Sequence, residues 1–371
     1  MPYFLRHHFE PDLTPRVLRP KESTSGSVDH HDLGYVQNVV VEQVLAEFVK
    51  VTDEAANALP ARFVYAKPEF PAGRNTGVNP SIPTQLLAEA NGHVAYENGL
   101  IVVKKALRIN GHVDYHTGNI FFVGDLMVDG GLHTGFEVQA RNTLVKGIVE
   151  GARVVAEASI VCEAGVKGAK QARLFAGKSI RLPFCENASL LARESVLVDG
   201  TCMHSDLRVG GKLVVKGRLQ GGTARCNGVI FVGEQLGGGT STVTEVVLGI
   251  DPFLDMHLAE VEESIEAASE HLAEYTAHWE KGGELAEEFG PRKEQAERKL
   301  KALERRRTQL GEALARSGAL DAARLVVPGQ VRSGVNITIG PAKTTVREHL
   351  ENVHFRLEDG EIVTESPAMK R

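Results

Sequence analysis

Ala140-Arg-Asn-Thr-Leu144-Val145, Ala156-Glu-Ala-Ser-Ile160-Val161, Ala176-Gly-Lys-Ser-Ile180-Arg181 and Ala192-Arg-Glu-Ser-Val196-Leu197 are variants of one phrase. In each, a small residue precedes a short apolar strand. Gly210-Gly-Lys-Leu-Val214-Val215 and Cys226-Asn-Gly-Val-Ile230-Phe231 continue the series, and the anchors advance by 16, 20, 16, 18 and 16 residues. One such unit cannot bury its own apolar face, so the units must stack, each strand pairing with those before and after it. The spacing predicts a parallel β-solenoid over 118–250, roughly seven coils deep. Val138, Ala140, Leu144, Ala156, Ile160, Ile180, Val196, Val214 and Ile230 are expected to face inward.

The composition agrees. Thirty-eight glycines suit a chain that turns a corner every few residues, and an aromatic content of 6% suits narrow coils filled by Val, Ile, Leu and Ala. A net charge of −6 disfavours non-specific binding to nucleic acid. The opening MPYFLRHHFEPDL has no apolar signal core, and no apolar run is long enough to span a bilayer, so the chain reads as soluble and cytoplasmic. Cys162, Cys185, Cys202 and Cys226 all lie inside the repeat. Cys185 and Cys202 fall at similar points of successive coils, as a disulfide or metal pair would. A ladder of small buried side chains is the reading preferred for a chain without a secretion signal.

Outside the repeat the texture changes. Residues 1–33 are polar and Pro-rich, with Ser-Thr-Ser-Gly-Ser at 23–27, and read as disordered or loosely packed. Residues 34–117 read as a small β-rich domain, with an extended Pro-rich stretch at 60–83. Its hairpin runs from Val94 through a turn at Asn98-Gly99 to Leu100–Val103. Beyond the solenoid, Leu254, Leu258, Val261, Ile265, Ala268, Leu272, Tyr275 and Trp279 form a heptad seam, with Asp251 as N-cap and Pro252 at the first helical position. Gly282-Gly283 and Gly290-Pro291 mark a break, after which a second seam runs through Ala296, Leu300, Leu303, Arg307, Leu310 and Leu314. The first helix is acidic and the second basic, which predicts an antiparallel coiled-coil hairpin over 251–318, within one chain or across a dimer. From 319 to 371 strands return, to cap or rejoin the solenoid.

Several stretches are familiar. Gly111-His-Val-Asp114-Tyr-His-Thr-Gly118-Asn119-Ile120 and Gly124-Asp125-Leu-Met-Val128 resemble the opening of the solenoid in the bacterial flagellar assembly protein A family. Val149-Glu150-Gly-Ala, Cys185-Glu186-Asn187-Ala188 and Thr244-Glu-Val-Val-Leu-Gly249-Ile-Asp251-Pro252 match further on. Gly334-Val335-Asn-Ile-Thr-Ile339-Gly340 and Phe355-Arg-Leu-Glu-Asp-Gly360-Glu361-Ile362 resemble the family's closing segment. The resemblance covers roughly 90–371 and is weak over 1–89. It implies a right-handed parallel β-solenoid in a mainly β chain, and protein partners in the flagellar or cell-pole machinery. It brings no catalytic residue and no cofactor. The septum-site inhibitor of bacterial division has similar coils, but the heptad hairpin and the β return favour the flagellar family.

Three groups of residues are candidates for a site. His112, Asp114 and His116 alternate as along a strand and, with His133, could form a His/carboxylate metal centre; the alternative is a solvent-facing strand. Lys167, Lys170 and Arg173 enlarge one coil into a basic bulge fit for an anion or an acidic partner. Arg305, Arg306 and Arg307 lie on the basic helix, and Arg307 occupies a seam position where it either pairs with Glu266 or Glu270 or extends to the edge. Gly237-Gly-Gly-Thr240-Ser241-Thr242 lacks the lysine of a phosphate-binding loop and reads as a linker. Enzyme readings need clustered chemistry. Asp125, Asp129, Asp199 and Asp206 are scattered, and the long repeat breaks the six-residue steps of acyltransferase solenoids. The expected function is a non-enzymatic cytoplasmic scaffold without cofactor, open to self-association, with no nucleic-acid partner and no membrane insertion. A carbohydrate-active solenoid enzyme and a division-site regulator are the alternatives. A groove lined by acids and aromatics would favour the enzyme.

Overall fold

Short strands of alternating burial dominate the computed structural model, which describes residues 1–12, 21–22, 28–29, 33–239 and 243–368. The chain is mainly β, with a parallel solenoid of about eight turns and two long helices inserted late in it. It divides into two compact units, Met1–Leu191 and Ala192–Arg371.

In the first unit an antiparallel five-stranded sheet has the spatial order Val64–Tyr65, Tyr3–His7, Val44–Lys50, Gln85–Ala88, Thr76–Val78. Leu5, Leu45, Phe48, Leu86, Val94 and Ile101 build its core. The expectation of disorder from residue 1 therefore fails for Tyr3–His7, an interior strand whose Leu5 is wholly buried. Its polar neighbours Arg6, His7 and His8 hid the alternation. The rest of that expectation falls mostly on 13–20, 23–27 and 30–32, which lie outside the described residues. The hairpin pairs Gly92–Glu97 with Leu100–Lys104, and Asn98 and Gly99 both take the positive φ its tight turn requires.

Ala106–Ile109 already pairs in parallel with Asp125–Val128. The solenoid thus opens at Ala106 rather than at 118, in a strand that follows the hairpin directly. Each coil has three faces. The first stacks Glu137–Ala140, Arg153–Ala156 and Arg173–Ala176, so the anchors Ala140, Ala156 and Ala176 form one buried column. The second stacks Asp125–Val128, Asn142–Val145, Ile160–Cys162 and Ser179–Leu182. The third is a line of single pairings through Val113, Leu132, Val149 and Val166 to Cys185. Coils meet closely at the corners. A Cβ on Gly177 would stand 2.0 Å from the Glu157 carbonyl oxygen, so only glycine fits there.

The second unit repeats the scheme with longer strands. Cys202–Val209 and Arg218–Cys226 each run around a corner, and Ser195–Val198, Lys212–Val215 and Val229–Val232 stack beside them. The register pairs Val209, not Gly210, with Cys226 and then Leu248. Gly210 is a corner residue instead, its virtual Cβ 2.1 Å from the Arg193 oxygen. All four cysteines are buried free thiols. Burial, aided by Cys185, pushes the Cys162 thiol up to about 12, and burial pushes Cys226 up to about 11, so both stay protonated at neutral pH.

At the corner after Leu248 the chain leaves the coil. Asp251 caps the first long helix by accepting from the N–H groups of Phe253 and Leu254, with Pro252 at the first helical position. A short helix α1 (Asp53–Asn57) precedes it in the chain, so the long pair are α2 (Pro252–Trp279) and α3 (Glu284–Ser317). They pack antiparallel. Phe289 stacks on His278 at 4.7 Å near the tip, and Gly318 lies against the Gly249 oxygen at the base. The break covers 280–283, where Gly282 and Gly283 both take positive φ. Gly290-Pro291, expected to extend it, lies inside α3. Glycine ahead of proline offers no Cβ to clash with the ring, and Phe289 and Lys293 on either side grip α2, the ammonium 4.0 Å from the Trp279 ring centroid.

The chain then resumes the coil. Arg324–Val331 pairs in parallel with Val229–Val232 and Gln235–Leu236, and Asn336–Ile339 with Thr244–Leu248. Ala342–Thr345, Leu350–Glu358 and Glu361–Glu365 follow in antiparallel fashion and cover the exposed edge. The C-terminal segment both rejoins and caps the solenoid.

Candidate interaction surface

His112, Asp114 and His116 do not lie along a strand. They occupy a turn, in which the Asp114 carboxylate accepts from the His116 N–H at 2.8 Å and the Asp114 carbonyl accepts from Gly118 at 2.7 Å. Partial burial pushes the Asp114 carboxyl up, but the amide and ring of His116 outweigh it and hold it below the usual range. His112 turns the other way, its Nδ1 accepting from the Gly131 N–H at 3.0 Å and its ring edge-on to His133. The His116 side chain is 95% exposed. Among the described residues no group of three or more His, Cys, Asp or Glu is arranged to hold a metal ion. The alternation that suggested a shared face was an accident of a turn sequence.

The bulge is a tight turn. Ala169 and Lys170 both take positive φ, and the Gln171 N–H donates to the Gly168 carbonyl at 2.8 Å. Lys167, Lys170 and Arg173 are all exposed. Parallel register sets Lys167 beside Glu186, and Arg173 beside Arg153, whose guanidinium already holds Glu137 at 3.4 Å. On α3, Arg305, Arg306 and Arg307 are exposed and make no ion pair among the described residues. Arg307 makes no ion pair with Glu266 or Glu270: with Trp279 beside Gly290 and Gly249 beside Gly318, the antiparallel packing sets it level with about residue 261, nearer the base than either. Gly237 and Gly238 take positive φ in a loop that leads to a strand, not a helix; Thr240–Thr242 of that stretch lie outside the described residues.

The feature that sequence reasoning missed lies on the second face of the coils. Leu144 and Val214, expected inside, point outward. Thr143 and Val145 fill the interior around Leu144, and Leu213 and Val215 do so around Val214. In the first unit Met127, Leu144 and Val161 are stacked by the strand register into an outward apolar ladder, with Arg108 at one end and Arg181 at the other. A groove of about 410 Å³ follows it, bordered by Asp125, Asn142 and Ser159. In the second unit the equivalent positions are Leu197, Val214, Phe231 and Val326. Most of these strands carry three apolar residues in a row, and in that of Leu144 the inward Thr143 is no more apolar than an outward residue, so alternation gives no phase. The signal available was comparative: the middle residue varies widely (Met, Leu, Val, Arg, Phe) while its neighbours keep to core types.

Nearby acids are already engaged. Hydrogen bonds from Arg141 hold the Asp125 carboxyl below its usual range. Asp129, gripped by Arg108 at 2.6 Å and Lys146 at 2.8 Å, is lowered in the same way. Such carboxylates are permanently charged at neutral pH and structurally committed, unlike a general acid, whose pKa must lie near the working pH. The surface can offer apolar area and fixed charge to a partner.

A family model for the Flagellar Assembly Protein A beta solenoid domain matches residues 105–362, more than half of the chain. The chain belongs to this family. The match begins at the first parallel coil and ends in the antiparallel cap, with the hairpin inside it. Among curated proteins nothing matches, and none of the solved structures does. Membership of the Flagellar Assembly Protein A family gives the chain a flagellar context. No described helix is long and apolar enough to cross a membrane.

Proposed function

We propose that this chain is a non-enzymatic recognition scaffold of the cytoplasm that serves flagellar placement or assembly by binding a protein of that machinery. The observation that carries the reading is the outward apolar ladder Met127–Leu144–Val161. Apolar side chains set outward by strand register contribute little to the core, yet burying them against a partner would gain about 25 cal/mol per Å². The Arg108–Asp129 ion pair at one end and Arg181 at the other would fix the partner's orientation through polar contacts at the rim. A catalyst would need titratable groups left free beside the groove, whereas its acids are held by arginine and lysine.

The test is a pair of substitutions at neighbouring depths. Leu144→Asp combined with Val161→Asp should leave the coil folded, because both side chains lie outside the coil interior and are partly exposed, while abolishing recovery of flagellar proteins from a flagellated host and disturbing flagellar number. Ile180→Asp is the control: a charge forced into the core costs several kcal/mol and should unfold the solenoid. A folded double variant that keeps its partners and normal motility would remove the ladder from the proposal.

A further inference from the structure

We propose that the hairpin is a self-association module, the outer side of α2 in one copy docking against the outer side of α3 in a second copy of this chain. Glu262, Glu263, Glu266 and Glu270 on α2, and Lys299, Lys301, Arg305 and Arg306 on α3, are all exposed. Among the described residues none of these eight makes an ion pair, and none of the ion pairs in the hairpin joins one helix to the other. The pairs that do form are local, such as Glu288 with Arg292 and Glu294 with Arg298. Opposite charge on the two helices therefore does not hold the hairpin together. Its seam does that, with Ala268 and Ala296 buried, the other apolar seam residues half-buried and only Trp279, at the tip, exposed.

Geometry explains why the two rows cannot meet inside one molecule. Glu263, Glu266 and Glu270 recur at three- and four-residue steps on the side of α2 turned away from its seam, and Lys301 and Arg305 do the same on α3. Yet the rows lie at the same height. Trp279 sits beside Gly290 at the tip and Gly249 beside Gly318 at the base, so residues 262–270 lie level with 298–306. A second hairpin placed alongside, without any shift along its axis, sets its acidic row against the basic row of the first. One chain carries both signs at matching positions, which singles out a second copy over an unrelated acidic or basic partner.

The contact is heterologous, since each copy keeps one row free, and such contacts propagate into rings or open arrays instead of stopping at a dimer. Exposed ion pairs are individually weak and screened by salt. The association is therefore concentration-dependent and strongest at low ionic strength. It rests on the hairpin alone and is independent of the flagellar reading.

Sedimentation velocity of the full chain tests it. Species larger than a monomer are expected at about 50 mM salt and should dissociate at about 500 mM, where the screening length falls roughly threefold. Two variants sharpen the experiment: Glu263→Lys/Glu266→Lys/Glu270→Lys, and Lys301→Glu/Arg305→Glu/Arg306→Glu. Each alone should remain monomeric with an unchanged helical circular dichroism signal. Mixed in equal amounts they should associate again, because the intact row of each finds its opposite on the other. A monomeric wild-type chain at low salt, or variants that each associate as the wild type does, would overturn the proposal. So would a mixture that stays monomeric while both variants are folded.

Discussion

Two histidines of the N-terminal β region, His7 in the five-stranded sheet and His93 in the hairpin sheet beside it in sequence, are kept neutral by their surroundings. Burial and the nearby Arg62 lower His7 to about 4, and its Nε2 shares a 2.8 Å hydrogen bond with the Tyr96 hydroxyl. Burial and Lys104 lower His93 to about 4, where its Nδ1 accepts from the Gln37 N–H at 3.0 Å. An unfolded histidine binds a proton near pH 6.5. Between pH 6.5 and about 4 the unfolded chain therefore holds more protons than the folded one. The stability contributed by neutral His7 and His93 is complete above pH 6.5 and is lost as pH falls towards 4. Thermal unfolding followed by the near-ultraviolet signal of Tyr3, Tyr65 and Tyr96 should show a lower midpoint at pH 5 than at pH 7.5. His7→Phe with His93→Gln should flatten that difference, glutamine retaining an acceptor for Gln37. An equal midpoint shift in the double variant would assign the acid sensitivity to other groups.

At the scale of the element, local rules carried some features through and not others. The N-cap at Asp251, the turn at Asn98-Gly99 and the seam of α2 follow from spacing and side-chain chemistry within a few residues, and all three are present. Pro291 shows where such rules stop. Locally it should end a helix, at a cost of about 3 kcal/mol. Packing of Phe289 and Lys293 against α2 carries α3 through it. Pro291→Ala should therefore stabilise the hairpin by about 1–3 kcal/mol, read as a higher melting midpoint of the helical signal at 222 nm. A lower midpoint would mean that proline sets a bend on which the packing depends.

On the scale of the whole molecule, the hairpin is an insertion at a solenoid corner. Elsewhere that corner needs only the residues between Val209 and Lys212, or between Cys226 and Val229. Gly249 and Gly318 lie in contact at its base, so the coil can be closed without it. Deleting 253–318 and bridging the gap with a short Gly/Ser linker should remove the helical circular dichroism signal and leave the β signal and its cooperative melting in place. Loss of the β signal would make the hairpin part of the solenoid core. The sequence alone determined that coils stack, that a helical pair interrupts them and that strands return, because each depends on a periodicity that survives without neighbours. Only the tertiary structure decided which apolar residues face out. In Thr143-Leu144-Val145 or Leu213-Val214-Val215 either phase buries apolar atoms, and the choice falls to the coils above and below, whose register commits every strand of the face at once. That choice created the outward ladder, and with it the surface on which the proposed function rests.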